Sequence, residues 1–131
     1  MTTAVNRVMQ SYGRCCACTD FFDTFYQNFL SCSPEIAAKF EKTDMKAQKQ
    51  LLRAGILNLV LFARGMSDAK LRALAESHSR ENLDIRPQLY DLWIDALIRT
   101  IRTHDRELTN EDVLAWQEVL NKGVSVIKSG Y

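Results

Sequence analysis

His78 is the residue in this sequence whose surroundings suggest the most specific chemistry. Leu71, Leu74 and Ala75 precede it by 7, 4 and 3 positions, which places all four residues on one face of an α-helix. An imidazole on an apolar face needs a partner, because burial of an unpaired polar group costs free energy. A metal ion is one such partner, and a main-chain carbonyl is the more ordinary one. The residues around His78 decide between these two interpretations.

Two more polar side chains lie on apolar helix faces. Gln48 belongs to a stripe that continues with Leu52 and Ile56, and Tyr26 lies on the most aromatic face of the chain. Each of them, considered singly, is more often a core residue that bonds to the main chain. A histidine, a glutamine and a tyrosine that enter one apolar interior from different helices are together typical of a cofactor pocket.

The four cysteines give a weaker signal. Cys15, Cys16 and Cys18 cluster, whereas Cys32 stands apart. The Cys15–Cys18 spacing matches C-x-x-C, but no βαβ pattern follows it, and adjacent thiols fit a tetrahedral zinc site poorly. Thr19 follows Cys18 where covalent haem attachment requires a histidine. We expect reduced thiols at a helix junction, and a redox-sensing role stays open.

Composition narrows the class of protein. The 131 residues predict one domain over residues 1–131, and 47% hydrophobic residues are typical of a globular protein. A net charge of +1 argues against nucleic acid or an anionic membrane as a partner. No apolar run is long enough to span a bilayer, and the N-terminus lacks a secretory pattern. We therefore expect a cytoplasmic protein.

Helical periodicity extends along almost the whole chain and predicts an all-α fold of six or seven helices. Ser33 and Pro34 are typical of a helix start, and Gly65 is typical of a helix end. The sequence from Thr109 resembles a capping box that opens the last helix. The other predicted helices cover residues 2–14, 19–30, 34–40, 44–64 and 68–82, and a further long helix begins at Pro87.

From about residue 20 onward the sequence resembles the globins, specifically bacterial single-domain globins and the globin domain of flavohaemoglobins. The stretch 25–36 is similar to the distal tyrosine helix and Pro-Glu turn of that family, with Tyr26 14 residues before Phe40. Residues 85–90 resemble the entry to the family's penultimate helix, and Trp116 matches a tryptophan of its last helix. The resemblance implies a globin fold, with the helices packed as a helix-on-helix sandwich around a haem pocket.

The resemblance also assigns roles to individual residues. It implies that His78 is the proximal ligand of a non-covalently held haem b and that Phe40 stacks on the porphyrin. Neutral imidazole can bind the iron on one side and leave the opposite position open. We expect the second ring nitrogen of His78 to donate to a nearby carbonyl. The remaining cofactor-binding residues are Leu52, Leu74, Ile85, Tyr90 and Trp93.

Tyr26 and Gln48 are implied as hydrogen-bond donors to the gas ligand. Gln50 competes with Gln48 for this role, although it lies two positions off the apolar stripe. The other histidine, His104, lies among charged residues, and we expect it to be exposed to solvent. Hydrogen bonds to a partly negative ligand contribute about 1.5–3 kcal/mol each, which predicts tight oxygen binding.

The function implied is reversible binding of dioxygen, with nitric oxide and carbon monoxide as further ligands. One alternative is nitric oxide dioxygenase activity. It would need electrons from a separate reductase, because these 131 residues contain no reductase segment. A haem-based gas or redox sensor and a haem-free signalling domain are the others. The family's glutamate partner of the proximal histidine would fall at position 132, counted from Trp116. Its absence from these residues favours binding over catalysis. Oligomeric state is not predicted.

Overall fold

The computed structural model describes residues 3–131, and this part of the chain forms α-helices and no β-strand. The prediction of an all-α fold is confirmed. In chain order the helices are α1 (Ala4–Cys16), α2 (Phe21–Leu30), α3 (Pro34–Lys39), α4 (Met45–Ala63), α5 (Ala69–Ser77), α6 (Pro87–His104) and α7 (Asn110–Ser129). None of these helices is both long and apolar enough to cross a bilayer.

Helices α6 and α7 form the centre of the fold. α7 packs against α1, α4, α5 and α6, while α6 also contacts α1 and α2. Large side chains that are fully buried lie between these layers, among them Trp116 and Leu120 of α7 and Leu97 and Ile101 of α6. This arrangement is held mainly by removal of apolar surface from water. Helix α2, which carries Tyr26, packs on α6, whereas α4, which carries Gln48, and α5, which ends at His78, pack on α7.

The predicted starts of α3 and α7 are confirmed by their capping hydrogen bonds. The Ser33 hydroxyl accepts from the main-chain N–H of Glu35 at 3.1 Å, with Pro34 as the first residue of α3. Thr109 and Asp112 form the predicted capping box of α7, in which each side chain accepts from the other residue's main-chain N–H. These bonds satisfy N–H groups that have no partner within the helix.

Gly65 ends α4 as predicted, through a left-handed backbone with φ of 104°. The N–H of Gly65 donates to the Phe62 carbonyl at 3.0 Å, and the N–H of Met66 donates to the Leu61 carbonyl at 3.1 Å. This pair of bonds is a Schellman motif, which satisfies the last carbonyls of the helix. Only glycine adopts such a φ without steric cost.

Helices α1 and α5 end at residues other than those predicted. The predicted start of the first helix at residue 2 lies outside the described residues, and α1 continues to Cys16 rather than ending at residue 14. Helix α5 ends at Ser77, so the predicted extension to residue 82 was wrong. The Asn82 side chain donates to the Glu76 carbonyl at 2.8 Å, and the Leu83 N–H donates to the Ser77 carbonyl at 3.1 Å. The chain therefore folds back and caps α5 itself.

The prediction that His104 is exposed was also wrong, because its side chain is only 10% accessible. The ring packs edge-on against Phe21, with 5.5 Å between ring centroids. One ring nitrogen, Nδ1, lies 2.9 Å from the Thr100 carbonyl, and the other, Nε2, lies 3.2 Å from Asp20 Oδ1. The charged residues that suggested exposure flank His104 in sequence, but they do not surround its ring.

Candidate functional site

His78 is the residue at which α5 stops. Its N–H closes the last turn by donating to the Leu74 carbonyl at 2.9 Å, and its carbonyl accepts from the Ile85 N–H at 3.0 Å. The main chain of His78 is therefore fixed from both sides, once by the helix and once by the loop that follows. The imidazole is half-buried, and burial lowers the pKa of His78 below its usual value. The ring is thus neutral at neutral pH, the form that coordinates metals.

One ring nitrogen of His78 is held by Tyr90 of α6. His78 Nδ1 and Tyr90 Oη are 2.8 Å apart, and the two rings stack with an interplanar angle of 26°. The prediction that this nitrogen bonds to a carbonyl was wrong, because α6 presents a buried hydroxyl at that point. The other nitrogen, Nε2, makes no hydrogen bond to any of residues 3–131. An imidazole held at Nδ1 with Nε2 unengaged is arranged as a ligand.

Tyr26 is a buried hydroxyl donor on α2, with 5% of its surface exposed. Its Oη donates to the main-chain carbonyl of Gln48 at 3.4 Å, which is long for an O–H···O bond. The ring lies edge-on to Phe40, with 5.9 Å between centroids. Burial raises the pKa of Tyr26, partly offset by its hydrogen bond to Gln48, so the hydroxyl stays protonated at neutral pH. The structure thus brings Tyr26, Phe40 and Gln48 together.

The two glutamines of α4 differ in exposure. Gln48 is half-buried beside Tyr26, whereas Gln50 is exposed. The side-chain amide of Gln48 makes no hydrogen bond within residues 3–131, and its half-exposed position leaves it accessible to water. Of the two, Gln48 is therefore the one that lies beside Tyr26.

Aromatic side chains link the tyrosine on α2 to α6, the helix whose Tyr90 holds His78. Trp93 lies one turn after Tyr90 on α6, and its ring is edge-on to Phe25 at 6.1 Å. Phe25 in turn contacts Tyr26, with 5.0 Å between ring centroids. Leu52 and Tyr90 are buried, but the other predicted lining residues keep part of their apolar surface exposed while packing on the core; they are Phe40, Leu74, Ile85 and Trp93.

The candidate residues thus offer one basic nitrogen, Nε2 of His78, and one buried hydroxyl donor, that of Tyr26. The sequence model of the globin family matches residues 23–127 of the chain. The chain belongs to the globin family. A solved structure from Pseudomonas aeruginosa PAO1, described as structurally highly homologous to a human haemoglobin, is 64% identical to this globin. The match covers 98% of each chain with a TM-score of 0.97. No curated protein is similar enough to count as a relative.

The globin fold expected from the sequence is therefore confirmed, and membership of the family implies a haem cofactor. The residues of this globin fit that group on two counts. His78 offers the neutral Nε2 that haem iron takes as an axial ligand. Phe40, Leu74, Ile85 and Trp93 carry half-exposed apolar surface, which a planar apolar cofactor would cover.

Several contacts between residues near the site gave no signal in the sequence. Arg86, before α6, forms a two-point ion pair with Glu35 of α3. Arg80 and Asp84, in the loop after His78, contact Tyr131. Helical periodicity identifies residues that share one helix face, but it cannot reveal contacts between a loop and a distant part of the chain.

Proposed function

We propose that this globin, as one domain, binds haem b non-covalently through His78 and reversibly binds dioxygen, with nitric oxide and carbon monoxide as further ligands. The observation that carries the proposal is the state of the His78 ring. Tyr90 holds Nδ1 at 2.8 Å, while Nε2 has no protein partner within residues 3–131. A core histidine with a structural role typically uses its nitrogens within the protein, as His104 does.

The tautomer follows from this assignment. A nitrogen that donates its lone pair to iron carries no proton, so in a neutral ring the proton resides on Nδ1. His78 Nδ1–H then donates to Tyr90 Oη, which acts as the acceptor. Such a partner fixes the orientation of a metal-binding imidazole. Burial raises the pKa of Tyr90, so the acceptor is a neutral hydroxyl oxygen rather than a phenolate.

Haem, held by His78, would supply an iron atom able to bind a diatomic gas. We infer that Tyr26 donates its O–H to such a ligand. Its present bond to the Gln48 carbonyl, at 3.4 Å, is long and so costs little to break. We infer that the amide of Gln48, whose main-chain carbonyl accepts from Tyr26, is a second donor. Hydrogen bonds gain strength where water is excluded. Phe25 and Phe40 pack against the Tyr26 ring, and this packing supports slow dissociation of the gas ligand.

The test is reconstitution of the purified protein with haem, followed by absorption spectra of the ferrous-deoxy, oxy and carbonmonoxy forms. We expect a Soret band and reversible conversion between these forms. Absence of the band after reconstitution would overturn the proposal.

A matched pair of variants assigns the ligand. We expect His78→Gly to lose the five-coordinate ferrous spectrum and to regain a coordinated spectrum when imidazole is added, because the free base fills the vacated position. His104→Gly makes the same change at the other histidine and should retain the wild-type spectrum. Equal loss in both variants would point to damaged folding instead of a lost ligand.

A further inference from the structure

Two charged residues of the loop after His78, Asp84 and Arg80, contact the side chain of Tyr131. The Tyr131 hydroxyl donates to Asp84 Oδ1, and the Arg80 guanidinium lies 5.0 Å from the centre of the Tyr131 ring. The main-chain N–H of Arg80 also donates to the Tyr131 carbonyl at 3.2 Å. A hydroxyl, a ring face and a carbonyl of one residue are thus all engaged by the same loop.

This loop is tied directly to the main chain of His78. The Ile85 N–H donates to the His78 carbonyl at 3.0 Å, and the Asp84 N–H donates to the Ser79 carbonyl at 2.9 Å. Asp84 has a φ of 52°, in the left-handed region that residues other than glycine rarely occupy. Its bond to Tyr131 helps to hold that conformation. A shift of the main chain at Asp84 is therefore passed to His78 through Ile85, the next residue, whose N–H donates to the His78 carbonyl.

The residue before Tyr131 fixes the end of α7 against α5. A Cβ on Gly130 would lie 2.7 Å from the Cβ of Ala75, closer than real Cβ contacts allow. Ala75 lies three positions before His78 on the same helix face. Because Gly130 has no Cβ, the chain can approach α5 closely, and Tyr131 can contact the loop after His78. The Tyr131 hydroxyl is protonated at neutral pH, and its hydrogen bond to Asp84 raises the pKa of Tyr131 further.

We propose that Tyr131 is a positioning residue for His78. It holds Asp84 and Arg80 against the end of α7, so that the loop keeps the imidazole in its bond with Tyr90. The inference rests on the proposed function, in which His78 binds haem iron. Tyr131 then limits the freedom of the proximal ligand and slows the loss of haem.

The experiment compares Tyr131→Phe with Tyr12→Phe in the haem-reconstituted full chain. Tyr12 is a suitable control because its buried hydroxyl has no hydrogen-bond partner within the described residues. Two quantities are measured: the iron–histidine stretching band of the ferrous-deoxy protein by resonance Raman, and the rate of haem transfer to apomyoglobin. We expect Tyr131→Phe to shift or broaden the band and to speed haem loss about three- to tenfold, the equivalent of one hydrogen bond. Tyr12→Phe should change neither.

The outcomes separate this inference from the proposed function. A wild-type protein that takes up no haem overturns the proposed function itself. A wild-type protein with haem, and a Tyr131→Phe variant with an unchanged band and haem-loss rate, overturns only the role of Tyr131. A lower melting temperature with an unchanged band also overturns it, because that result describes a merely structural residue.

A second variant keeps the test valid if Tyr131→Phe folds poorly. Asp84→Asn retains an oxygen acceptor for the Tyr131 hydroxyl, and asparagine tolerates the left-handed backbone at this position. We expect its iron–histidine band to stay close to that of the wild type. Asp84→Ala removes the acceptor and should change the band as Tyr131→Phe does. An unaltered band in Asp84→Ala would contradict the inference.

Discussion

At the scale of single residues, the two histidines show how surroundings determine chemistry. His104 uses both ring nitrogens within the protein, toward the Thr100 carbonyl and Asp20. His78 uses only Nδ1, toward Tyr90, within the part of the chain that the structure describes. The same side chain is thus a structural link in one place and a candidate ligand in the other. Both rings are partly or largely buried, so burial alone does not separate the two roles.

Tyr26 carries the first prediction at this scale. If its hydroxyl donates to bound dioxygen, Tyr26→Phe removes one bond to a partly negative ligand. We expect dioxygen to dissociate about ten- to a hundredfold faster, from about 1.5–3 kcal/mol for such a bond. Stopped-flow displacement of dioxygen by carbon monoxide measures the rate. An unchanged rate in Tyr26→Phe would make the distal assignment wrong, and Tyr12→Phe serves as the control for loss of a buried hydroxyl.

At the scale of elements, the ends of helices position the site more than their middles do. His78 lies at the C-terminal end of α5, where the loop through Ile85 fixes its carbonyl. Phe40 similarly occupies the C-terminal end of α3 and meets Tyr26 there. Helix ends leave main-chain groups without helical partners, so the hydrogen bonds that satisfy them also orient the residues nearby.

The end of α4 gives a prediction about stability. Gly65 has a φ of 104°, and Gly65→Ala would force a Cβ into that left-handed backbone. We expect a loss of about 1–2 kcal/mol in the free energy of unfolding, measured by urea denaturation. Gly55→Ala is the matched control, since Gly55 lies inside α4 and an added Cβ meets no atom within 4 Å. That variant should gain up to about 1 kcal/mol from helix propensity. The same sign of change in both variants would contradict this account of the helix end.

At the scale of the whole molecule, one buried carboxylate links three parts of the fold. Asp105, between α6 and α7, accepts from Ser11 at 2.6 Å and from Arg14 Nε at 2.6 Å, both on α1. Trp116 of α7 completes the group by donating to the Ser11 hydroxyl at 2.9 Å. Burial acts to raise the pKa of Asp105, but the bonds from Arg14 and Ser11 outweigh it and the pKa lies below its usual value.

This carboxylate makes stability depend on pH. Because folding lowers the pKa of Asp105, its contribution is present above the unfolded pKa of about 3.9 and is lost as pH falls through the folded pKa. We expect Asp105→Asn to lower the free energy of unfolding by about 2 kcal/mol at pH 7, because it removes the nearer of the two carboxylates that pair with Arg14 and leaves Asp112 at 3.7 Å. The loss should shrink as the pH approaches 3.

Urea denaturation at pH 7, 5 and 3 checks this prediction. Asp95→Asn is the control, because Asp95 is exposed on α6 and forms no ion pair within residues 3–131. Its effect should stay within about 0.5 kcal/mol at every pH. A loss in Asp105→Asn that is equally large at pH 3 would show that packing, not charge, explains the contribution of Asp105.

Local sequence determined most of the elements of this globin. Serine with proline, proline alone and threonine marked the starts of α3, α6 and α7, because a capping hydroxyl or the fixed φ of proline acts within one turn of the helix. Gly65 marked the end of α4 for an equally local reason, its positive φ. The end of α5 was not predicted, because it depends on hydrogen bonds from the following loop. The Asn82 side chain and the Leu83 N–H donate to carbonyls of the last turn of α5. Periodicity has no information about such bonds.

For the site, the sequence by itself identified His78, Tyr26 and Gln48 as polar residues on apolar helix faces, and the resemblance suggested their roles. Side-chain type and helical spacing are sufficient for that, since both are properties of a single helix. Only the tertiary structure decided that Tyr90 rather than a carbonyl holds His78, that His104 is enclosed, and that Tyr131 reaches the loop after His78. Those contacts join residues from different helices and loops. Their geometry depends on how α5, α6 and α7 pack, which no local pattern specifies.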